Sequence, residues 1–483
     1  MSHRLAIDVG SSSVKLYAGA VADDGLEFEQ IARMDNETTW EDGRHVWDVE
    51  RLVDGLRDRI ATAVDEYDDL GSVGIDSTAL DFGLLADGEL VRNPYFYRDP
   101  ALWTATDDVS ERCSPRRAFH LTGYNGPPGP IHYQHREAPD LFERADTLVP
   151  LPGLLSYGLG GRPATETSYA MTLRLLDVRT HEWADELVDA IGFPRDLLSE
   201  PVPAGTTVGT VDTVDDVSQA PEIVLPASHD TASAVGALPL TDENNAFLCT
   251  GSWFIPGIER PDPVVTDRVY DAGGSNEIGV ENTVRFLRNL PGFSLLEHCR
   301  DEWREAGRTY EYSPLLAGAA ELPTDGPVVD VREGRFVRAQ FDGDVERRVR
   351  AYCEETGQSV PDDEFEMTRC LLVSLAVGSA LVLERLLTVS GESVDRIHLG
   401  GGGVRNELFC RLFASAIGKP VHAGPTEATA LGNVLVQARA SGDLRDLATG
   451  RSLVEDEFPP STYEPRDRST WRRLRERVTD ADA

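Results

Sequence analysis

A chain of 483 residues, of which 41% are hydrophobic and 27% charged, is long enough for two or more domains with separate cores. Its formal net charge of −37 argues against nucleic acid and anionic lipid as partners, because an acidic surface repels both. The acidic residues are spread along the chain, so we expect an acidic protein surface adapted to a salt-rich (halophilic) cytoplasm rather than a disordered acidic tail.

The most apolar stretch, residues 370–383, is interrupted by two serines and a glycine, which predicts a buried core helix rather than a membrane span. The N-terminus enters an apolar strand without a signal peptide, so we expect a cytoplasmic protein that makes no membrane contact. The six cysteines have no CxxC or Cys/His metal spacing and are expected to be reduced. Cys353 and Cys370 could lie close together, although the sequence does not predict a disulfide.

The first predicted element is a β-hairpin over residues 5–21, in which two apolar strands flank a Gly/Ser turn. Asp8 ends the first strand, and the turn from Gly10 to Ser13 offers backbone N–H groups and hydroxyls that suit a bound phosphate. The turn is not a Walker loop, because it lacks GxxxxGK[ST] and leads into a strand. Gly/Ser hairpins are common, but Asp8 and Lys15, one of only two lysines, favour a functional turn.

The next elements are a helix and a pair of short strands. Residues 48–66 have the apolar spacing of an amphipathic helix, and residues 72–86 the alternation of two strands. Asp76 and Asp81 lie near strand ends in this stretch, where each could line a pocket or occupy a solvated turn. The aromatic and charged segment 95–100 could form the wall of a polar pocket.

Near the midpoint of the chain, an apolar strand delivers Ser228, His229, Asp230 and Thr231 to the start of a helix rich in small residues. An aspartate followed by threonine at such a position is most often a helix N-cap. A carboxylate at a helix N-terminus can also act as a general base, and the helix dipole would help to keep it ionised. The local pattern leaves both roles open for Asp230.

A second hairpin of the same kind spans residues 245–256, with a Thr-Gly-Ser turn that ends at Ser252. Two such hairpins, each opening one half of the chain, indicate two related domains that face one nucleotide. Later, a strand, the glycines 400–403 and a helix provide backbone N–H groups for an anion or nucleotide. Asn406 replaces the third glycine of a dinucleotide fingerprint, which argues against a dehydrogenase, and Glu427 could be either a helix cap or a ligand.

Three glycine/hydroxyl turns and one central aspartate, without a metal cluster or a Ser/Cys nucleophile motif, indicate phosphoryl transfer. In this interpretation Asp8 holds hydrated Mg²⁺, Lys15 and backbone amides balance the phosphate charge, and Asp230 takes the proton of an acceptor hydroxyl. The competing interpretation is an actin-like ATP-binding protein that moves or polymerises. Such a protein needs no base beside a polar pocket, so the role of Asp230 distinguishes the two.

Four segments resemble the phosphate, catalytic and adenosine motifs of the FGGY carbohydrate kinases, in the family's order: residues 8–15, 228–234, 250–253 and 401–406. The resemblance implies an α/β fold with two actin-like (ribonuclease-H-like) domains and a cleft between them that closes over ATP and a sugar. It implies an N-terminal domain over residues 1–238, a nucleotide-binding C-terminal domain over 239–450, and a tail with a short helix over 451–483.

The same resemblance assigns roles to individual residues. It implies ATP contacts from two phosphate turns, one helix and the late glycine turn, namely Ser11, Ser12, Ser13, Val14, Lys15, Ser252, Glu297 and Gly402. It implies Asp230 as the proton acceptor and sugar contacts from His229, Asn289 and the segment at Ala79. The family usually has Thr in place of Ser252 and Gln in place of Glu297.

Within the family, further stretches resemble the rhamnulokinase group, namely residues 81–85, 97–100, 276–277, 289 and 424–433. This implies Mg²⁺- and ATP-dependent phosphorylation of the 1-hydroxyl of L-rhamnulose or a similar deoxyketose, by a monomer or a homodimer. Residues 76–79 read Asp-Ser-Thr-Ala instead of the Asp-Thr-Trp-Gly common in that group, which alters one wall of the sugar pocket. A related kinase for another ketose or polyol, such as xylulose or fuculose, therefore stays open.

Overall fold

A computed structural model describes residues 2–22, 25–212, 220–241 and 244–479. Strands and helices are mixed throughout these residues, which confirms the predicted α/β class. The strands are β1 (His3–Val9), β2 (Ser13–Ala22), β3 (Gly25–Asp35), β4 (Thr38–Glu41), β5 (Arg44–Trp47), β6 (Leu70–Ser77), β7 (Phe82–Ala86), β8 (Glu89–Leu90), β9 (Thr147–Pro150), β10 (Leu176–Asp177), β11 (Glu182–Trp183), β12 (Thr206–Thr210), β13 (Glu222–Leu225), β14 (Asn245–Thr250), β15 (Trp253–Arg260), β16 (Ser275–Ile278), β17 (Val284–Leu287), β18 (Leu290–Pro291), β19 (Arg396–Gly400), β20 (Val421–Ala423) and β21 (Ser461–Tyr463).

The helices are α1 (Val49–Glu66), α2 (Thr106–Arg112), α3 (Pro115–Thr122), α4 (Gly129–Glu137), α5 (Pro139–Arg144), α6 (Leu151–Gly158), α7 (Thr167–Thr172), α8 (Asp185–Ile191), α9 (Asp230–Ala237), α10 (Asp267–Asp271), α11 (Ser294–Glu305), α12 (Tyr312–Ala320), α13 (Gly334–Asp342), α14 (Val345–Glu355), α15 (Glu364–Ser390), α16 (Glu407–Ile417), α17 (Ala428–Ser441), α18 (Leu447–Glu457) and α19 (Arg468–Thr479). Short 3₁₀ helices occur at Pro100–Trp103, Arg195–Leu197, Val280–Asn282 and Gly402–Arg405.

The chain folds into two compact units, each of which is discontinuous in sequence. The first unit comprises Met1–Pro239, Glu259–Phe286 and Glu427–Glu457. The second unit comprises Leu240–Ile258, Leu287–Thr426 and Phe458–Ala483. The boundaries predicted after residues 238 and 450 divide the chain into continuous segments, and they stay predictions.

The first unit is built on a six-stranded sheet with the order β12-β13-β6-β1-β2-β3. The predicted hairpin is confirmed, because β1 and β2 pair in antiparallel register with Val9 opposite Val14. Strand β6 lies parallel to both β1 and β13, so these three strands end at the same edge of the sheet. Ligand sites of open α/β sheets lie at this carboxyl edge, and the polar residues that follow β1, β6 and β13 meet there.

Helix α1 confirms the helix predicted over residues 48–66. The Asp48 side chain accepts a hydrogen bond from the backbone N–H of Arg51 and caps the helix start. Leu52, Leu56 and Ile60 recur at helical spacing and are fully buried in the core with the sheet strands. Each such side chain contributes about 2 kcal/mol by leaving water, so this apolar stripe fixes the helix against the sheet.

Helix α17 comes from late in the sequence but packs against α9 and β1 of the first unit. A Cβ atom at Gly432 would stand 1.8 Å from the carbonyl oxygen of Ser233, so only glycine allows the two helices to approach this closely. One turn later, Gln437 donates from Nε2 to the carbonyl oxygen of Leu5 at 3.1 Å. Strand β1 and the residues that follow it are thereby held by a helix more than 400 positions away in sequence.

The second unit contains a sheet with the order β15-β14-β19-β20-β21, and β18 pairs with β15. Strands β14 and β15 are antiparallel, which confirms the hairpin predicted over residues 245–256. Among the described helices, α15 is long and apolar enough to cross a membrane, but 78% of its most apolar window is buried inside the protein. This burial confirms the prediction that residues 370–383 form a core helix.

All six cysteines lie in the described residues and are buried free thiols. The thiols of Cys353 and Cys370 interact, which lowers the pKa of Cys353 and raises the pKa of Cys370, so the expectation that they lie close together is confirmed. In the C-terminal tail, α19 confirms the predicted terminal helix, which begins three residues before Trp471.

Candidate functional site

Two aspartates stand side by side at the carboxyl ends of β1 and β6, where Asp8 is directly opposite Asp76. Burial raises the pKa of Asp8 to about 6, an effect that the Lys15 ammonium opposes and that Asp230 and Glu427 reinforce. Burial, and then the charge of Asp8, hold the pKa of Asp76 well above its usual range. These carboxyl groups therefore form an acidic cluster that a bound cation would stabilise.

Asp76 is fully buried, and its two carboxylate oxygens differ in their surroundings. Oδ2 accepts a hydrogen bond of 2.6 Å from Nδ2 of Asn433, on helix α17. Oδ1 is buried and has no hydrogen-bond partner among the described residues. A buried carboxylate oxygen without a partner is costly, so Oδ1 marks a place for a cation or a donor from a ligand.

The turn that follows Asp8 is held by hydrogen bonds from two other loops. Gly10 donates its N–H to the carbonyl oxygen of Ser13 at 3.1 Å and closes the turn. Asn36 donates to the carbonyl oxygen of Ser11 at 2.7 Å, and Nη2 of Arg98 donates to the Ser11 hydroxyl at 2.9 Å. The sequence did not single out Arg98, although it lies in the aromatic and charged segment 95–100.

The five residues predicted to form the first phosphate turn differ in what they expose. Ser12 is exposed at the tip, and Ser11 and Lys15 are half-buried. Ser13 is buried and Val14 is fully enclosed in the core, so Val14 can offer a ligand only its backbone. The accessible groups are the Ser11 and Ser12 hydroxyls, the backbone of the turn and the Lys15 ammonium.

Lys15 does not stand alone beside the turn. Its Nζ lies 3.9 Å from Oδ2 of Asp8 and 3.3 Å from Oε2 of Glu427. The Tyr17 hydroxyl donates to the same Glu427 oxygen at 2.7 Å. Glu427, the residue before α17, therefore binds both Lys15 and Tyr17 through its carboxylate. The positive charge of Lys15 is shared between the carboxylates of Asp8 and Glu427.

The loop that carries the central motif is held by a glutamate that the sequence did not predict. Oε2 of Glu166, which is buried, accepts the backbone N–H of Ser228 at 2.9 Å. The Ser168 hydroxyl, itself bound to Glu166, accepts the backbone N–H of His229 at 3.3 Å. On the other side, Ser77 donates its N–H to the Ser228 carbonyl at 2.9 Å, which continues the parallel pairing at the sheet edge.

Asp230 is the first residue of α9, and His229 occupies the N-cap position. The structure therefore does not support the interpretation of Asp230 as an N-cap. Oδ1 of Asp230 accepts hydrogen bonds from the backbone N–H of Thr231 at 2.5 Å and from the Thr231 hydroxyl at 3.0 Å. The Asp230 side chain is 32% exposed to solvent and can therefore be reached by a substrate.

Burial raises the pKa of Asp230 to about 6, while the two Thr231 hydrogen bonds and the Arg285 charge lower it. The expected effect of the helix N-terminus is thus outweighed by removal of the carboxylate from bulk water. A carboxylate with a pKa near 6 is mostly ionised at neutral pH and still a better proton acceptor than an exposed aspartate. These are the properties of a general base.

His229 is buried between Asp230 and a buried ion pair. Its Nε2 lies 3.4 Å from Oδ1 of Asp230, and its Nδ1 lies 3.2 Å from Nη2 of Arg285. Nη2 of Arg285 also lies 3.0 Å from Oε2 of Glu277. Burial and the Arg285 charge hold the pKa of His229 well below its usual range. Arg285 was missed in the sequence, and Glu277 was noted only as part of a family-like stretch.

The predicted sugar-side segment around Ala79 directly follows β6. Ala79 is half-buried, and Leu80 adopts a left-handed φ of 82°, a conformation that is costly for a leucine. Thr172 accepts the Leu80 N–H at 3.2 Å and supports this conformation. The buried Oγ1 of Thr78 has no partner within the described residues. The segment therefore presents an unsatisfied hydroxyl next to the strand end that carries Asp76.

In the second unit, the Ser252 turn and the Gly402 turn lie against each other. Thr250 donates from Oγ1 to the carbonyl oxygen of Gly400 at 2.8 Å, and Gly292 donates its N–H to the carbonyl oxygen of Ser252 at 3.0 Å. A Cβ at Gly403 would stand 2.5 Å from the Thr250 hydroxyl, so this glycine permits the contact. Gly402 itself is exposed and accessible.

The other two predicted ligands of the second unit differ in their surroundings. Glu297 is 48% exposed and forms a 2.7 Å ion pair with Arg300. The guanidinium of Arg300 in turn lies 5.3 Å from the ring centre of Tyr312, so the additional charge of Glu297 is compensated within this unit. Asn289 is exposed between β17 and β18.

Direct binding of a metal ion needs several carboxylate, histidine or cysteine side chains close together. In the part of the chain that the structure describes, no group of three or more His, Cys, Asp or Glu side chains could hold a metal ion. Mg²⁺ does not require such a group, since it is commonly bound through one or two carboxylates, water and substrate phosphates. The Asp8–Asp76 edge, with one unpartnered carboxylate oxygen, fits that mode.

The chain matches family models over most of its length. Residues 4–236 match the N-terminal domain of the FGGY family of carbohydrate kinases, and residues 246–441 match its C-terminal domain. Among curated proteins, the chain is 34% identical over 475 residues to a rhamnulokinase of Bacteroides thetaiotaomicron, with 96% of each chain covered. It is 33% identical over 485 residues to a rhamnulokinase of Pectobacterium atrosepticum, with 97% of this chain and 95% of that protein covered.

Solved structures share the fold at lower identity. A ligand-bound xylulose kinase from Lactobacillus acidophilus superposes with a TM-score of 0.78 and 15% identity, covering 100% of this chain and 98% of the other. Plasmodium falciparum glycerol kinase with ADP superposes with a TM-score of 0.78 and 16% identity, with the same coverage. These matches confirm the predicted actin-like domains. The matched models and relatives together show that this chain belongs to the FGGY family of carbohydrate kinases and is an ATP-dependent sugar kinase.

Proposed function

We propose that this sugar kinase transfers the γ-phosphoryl group of Mg-ATP to the 1-hydroxyl of L-rhamnulose or a closely similar deoxyketose, with Asp230 as the general base. Relatives named rhamnulokinase support this class of sugar, since they match 95% or more of the chain. The observation that carries the proposal is the carboxylate of Asp230. It is accessible, has a pKa raised to about 6, and interacts electrostatically with Asp8 at the same sheet edge.

In the proposed reaction, the sugar O1 attacks the γ-phosphorus of ATP and forms a new P–O bond. The bond from the γ-phosphorus to the β,γ-bridging oxygen breaks, and ADP leaves with that electron pair. Asp230 accepts the proton that O1 loses. Phosphoryl transfer needs little covalent help from a protein, so alignment and charge stabilisation by the surrounding groups account for most of the rate.

Asp8 is the proposed holder of the hydrated Mg²⁺ that accompanies ATP, with Asp76 beside it. Support comes from their opposed positions, from the burial that raises the pKa of both carboxyl groups, and from the unpartnered Oδ1 of Asp76. When bound, the ion would neutralise charge on the phosphates. Lys15 assists, although its charge is shared with Asp8 and Glu427.

Nucleotide binding is proposed for groups of both units, in line with a nucleotide-binding domain over residues 239–450. In the first unit these are the residues from Ser11 to Lys15. In the second unit they are Ser252, Glu297 and the exposed Gly402, which belong to a helix start and two turns with accessible polar groups.

Sugar binding is proposed for His229, Asn289 and the segment at Ala79. His229 is adjacent to the base, and Ala79 is half-buried beside the strained Leu80. The methyl group of Ala79, in place of the glycine common in the rhamnulokinase group, adds bulk to this wall of the proposed sugar pocket. We therefore expect Ala79 to influence which ketoses are accepted.

The test is a coupled ADP-release assay at high KCl with L-rhamnulose, L-fuculose, D-xylulose and glycerol as acceptors. We expect kcat/KM for L-rhamnulose to exceed that for each other acceptor by about tenfold or more, because a polar site rejects misplaced hydroxyls strongly. Phosphorus NMR of the product should give a 1-phosphate. Equal or higher kcat/KM with D-xylulose or glycerol would contradict the proposed sugar specificity but not the kinase assignment.

A further inference from the structure

The contact between Arg285 and His229 restricts the position of the imidazole proton. Nη2 of Arg285 lies 3.2 Å from Nδ1 of His229, within hydrogen-bond distance. The two hydrogens of Nη2 are shared among Nδ1, Oε2 of Glu277 and the Ile278 carbonyl oxygen. A guanidinium group has only donors, so a proton on Nδ1 would face another donor, and the contact favours Nδ1 as an unprotonated acceptor. A neutral imidazole has one N–H, which must then be on Nε2. That nitrogen lies 3.4 Å from Oδ1 of Asp230.

Arg285 is well placed to impose this choice, because it cannot move away easily. Its side chain is fully buried, and its Nε and Nη2 donate to the carbonyl oxygen of Ile278 at 3.3 and 3.2 Å. Its Nη1 is buried with no partner among the described residues. A buried ion pair with an unsatisfied N–H contributes little to stability, so a role in the site accounts better for its presence.

Glu277 favours the other tautomer of His229, in which Nδ1 carries the proton. Its Oε2 lies 3.6 Å from Nδ1 of His229 and 3.0 Å from Nη2 of Arg285. Without the guanidinium, a carboxylate this near would attract a proton onto Nδ1 and leave Nε2 as an acceptor. With the guanidinium present, Glu277 is engaged by Arg285 instead. The pair therefore decides which imidazole nitrogen presents a donor toward Asp230.

We propose that Arg285 is a positioning residue that fixes His229 as the neutral Nε2–H tautomer, so that an N–H donor faces the site beside Asp230. This N–H donates to a hydroxyl or carbonyl oxygen of the ketose. Because Nε2 is already protonated, His229 does not compete with Asp230 for the proton of O1. The contact with the sugar rests on the proposed function. The tautomer of His229 depends only on the contacts that its ring makes within the protein.

The direct test is NMR of the free full-length enzyme labelled with ¹⁵N-histidine. We expect the His229 ring, assigned by its loss in His229→Gln, to show the Nε2–H pattern at neutral pH. In Arg285→Met, we expect the Nδ1–H pattern, with Glu277 as acceptor. A wild-type His229 with the Nδ1–H or the doubly protonated pattern would overturn the proposal, and this arm requires no variant of Arg285 to fold.

A second substitution separates a tautomer effect from a packing defect. In Arg285→Met with Glu277→Gln, the new amide can donate to Nδ1 and restore the Nε2–H tautomer. We expect Arg285→Met to raise KM for the ketose about tenfold, the size of one hydrogen bond, with KM for ATP unchanged. The double variant should recover most of this loss and the Nε2–H spectrum.

Two further outcomes would overturn the inference. One is a double variant that remains as impaired as Arg285→Met while its spectrum shows Nε2–H. The other is an equal rise in KM for ketose and ATP in Arg285→Met, which would indicate general disruption. If wild type shows the Nε2–H pattern but prefers another acceptor in the sugar panel, the proposed specificity fails and the tautomer assignment stands.

Discussion

Asp8 and Asp76 occupy directly opposed positions on the parallel strands β1 and β6, so a largely buried carboxyl group and a fully buried one share one sheet edge. Helix α17 maintains this arrangement, since Asn433 binds one oxygen of Asp76 and leaves the other without a partner among the described residues. Such a cluster costs stability unless a cation enters it. The arrangement is therefore best understood as part of the chemistry at the ends of β1, β6 and β13.

Asp76→Asn should reduce sugar-dependent ADP release about a hundredfold, as expected when one preorganised charge is removed from a phosphoryl-transfer site. Stability should not fall. Burial raises the pKa of Asp76, so its contribution to folding is lost as pH rises, and an uncharged amide avoids that loss. Urea unfolding at about pH 8 checks this point. Asp54→Asn, at an aspartate that is 66% exposed, is the matched control. Near-normal turnover in Asp76→Asn would rule out this role.

The rate should depend on pH through Asp230 and Asp8, each with a pKa raised to about 6. A general base must be deprotonated, so kcat/KM should fall as pH decreases through this range. At about pH 5 we expect roughly one-tenth of the plateau value for a single such group, and less if both must ionise. Initial rates at constant KCl, in overlapping buffers, measure the profile. A flat profile down to about pH 5 would contradict the assignment.

Lys15 and Glu427 should shift this acid limb in opposite directions. The Lys15 charge lowers the pKa of Asp8, and the Glu427 charge raises it. Lys15→Met should therefore move the acid limb to higher pH, and Glu427→Gln should move it to lower pH while the amide keeps a contact with Tyr17. The two variants serve as controls for each other. Shifts of the same sign would show that the limb does not report Asp8.

Stability should depend strongly on salt, because a net charge of −37 repels itself at low ionic strength. We expect Tm and the unfolding free energy to rise as KCl increases from about 0.1 M to about 2 M. Sodium perchlorate at matched ionic strength separates screening from effects of the particular ions. An unchanged or falling Tm in KCl would refute adaptation to a salt-rich cytoplasm.

The hairpins, helix α1 and the core helix could be predicted because their signals are local. Apolar alternation around a Gly/Ser turn determines β1 and β2 within about twenty residues, and helical spacing does the same for α1. The predicted turn at Ser11 and the strand-to-helix junction at Asp230 follow from the same signals. Their chemical meaning required several motifs together, since a single Asp-Thr pair at a helix start is ambiguous.

The residues that hold the site could not be predicted because their contacts are distant in sequence. Arg285 binds His229 across 56 positions, Glu166 binds Ser228 across 62, and Asn433 binds Asp76 across 357. No periodicity or turn pattern records such pairs. The ionisation state of Asp230 also depended on the fold, because burial outweighs the helix N-terminus that the sequence indicated.

The role of Asp230 is tested most directly by the rate of ketose-dependent ADP release in Asp230→Asn, measured beside ATP binding by calorimetry. Asparagine fills the same space and can still meet Thr231, but it cannot accept the proton of O1. We expect turnover to fall by about a thousandfold or more while the Kd for ATP stays within about threefold of wild type. Retention of most of the turnover, with normal ATP binding, would contradict the assignment of Asp230 as the base.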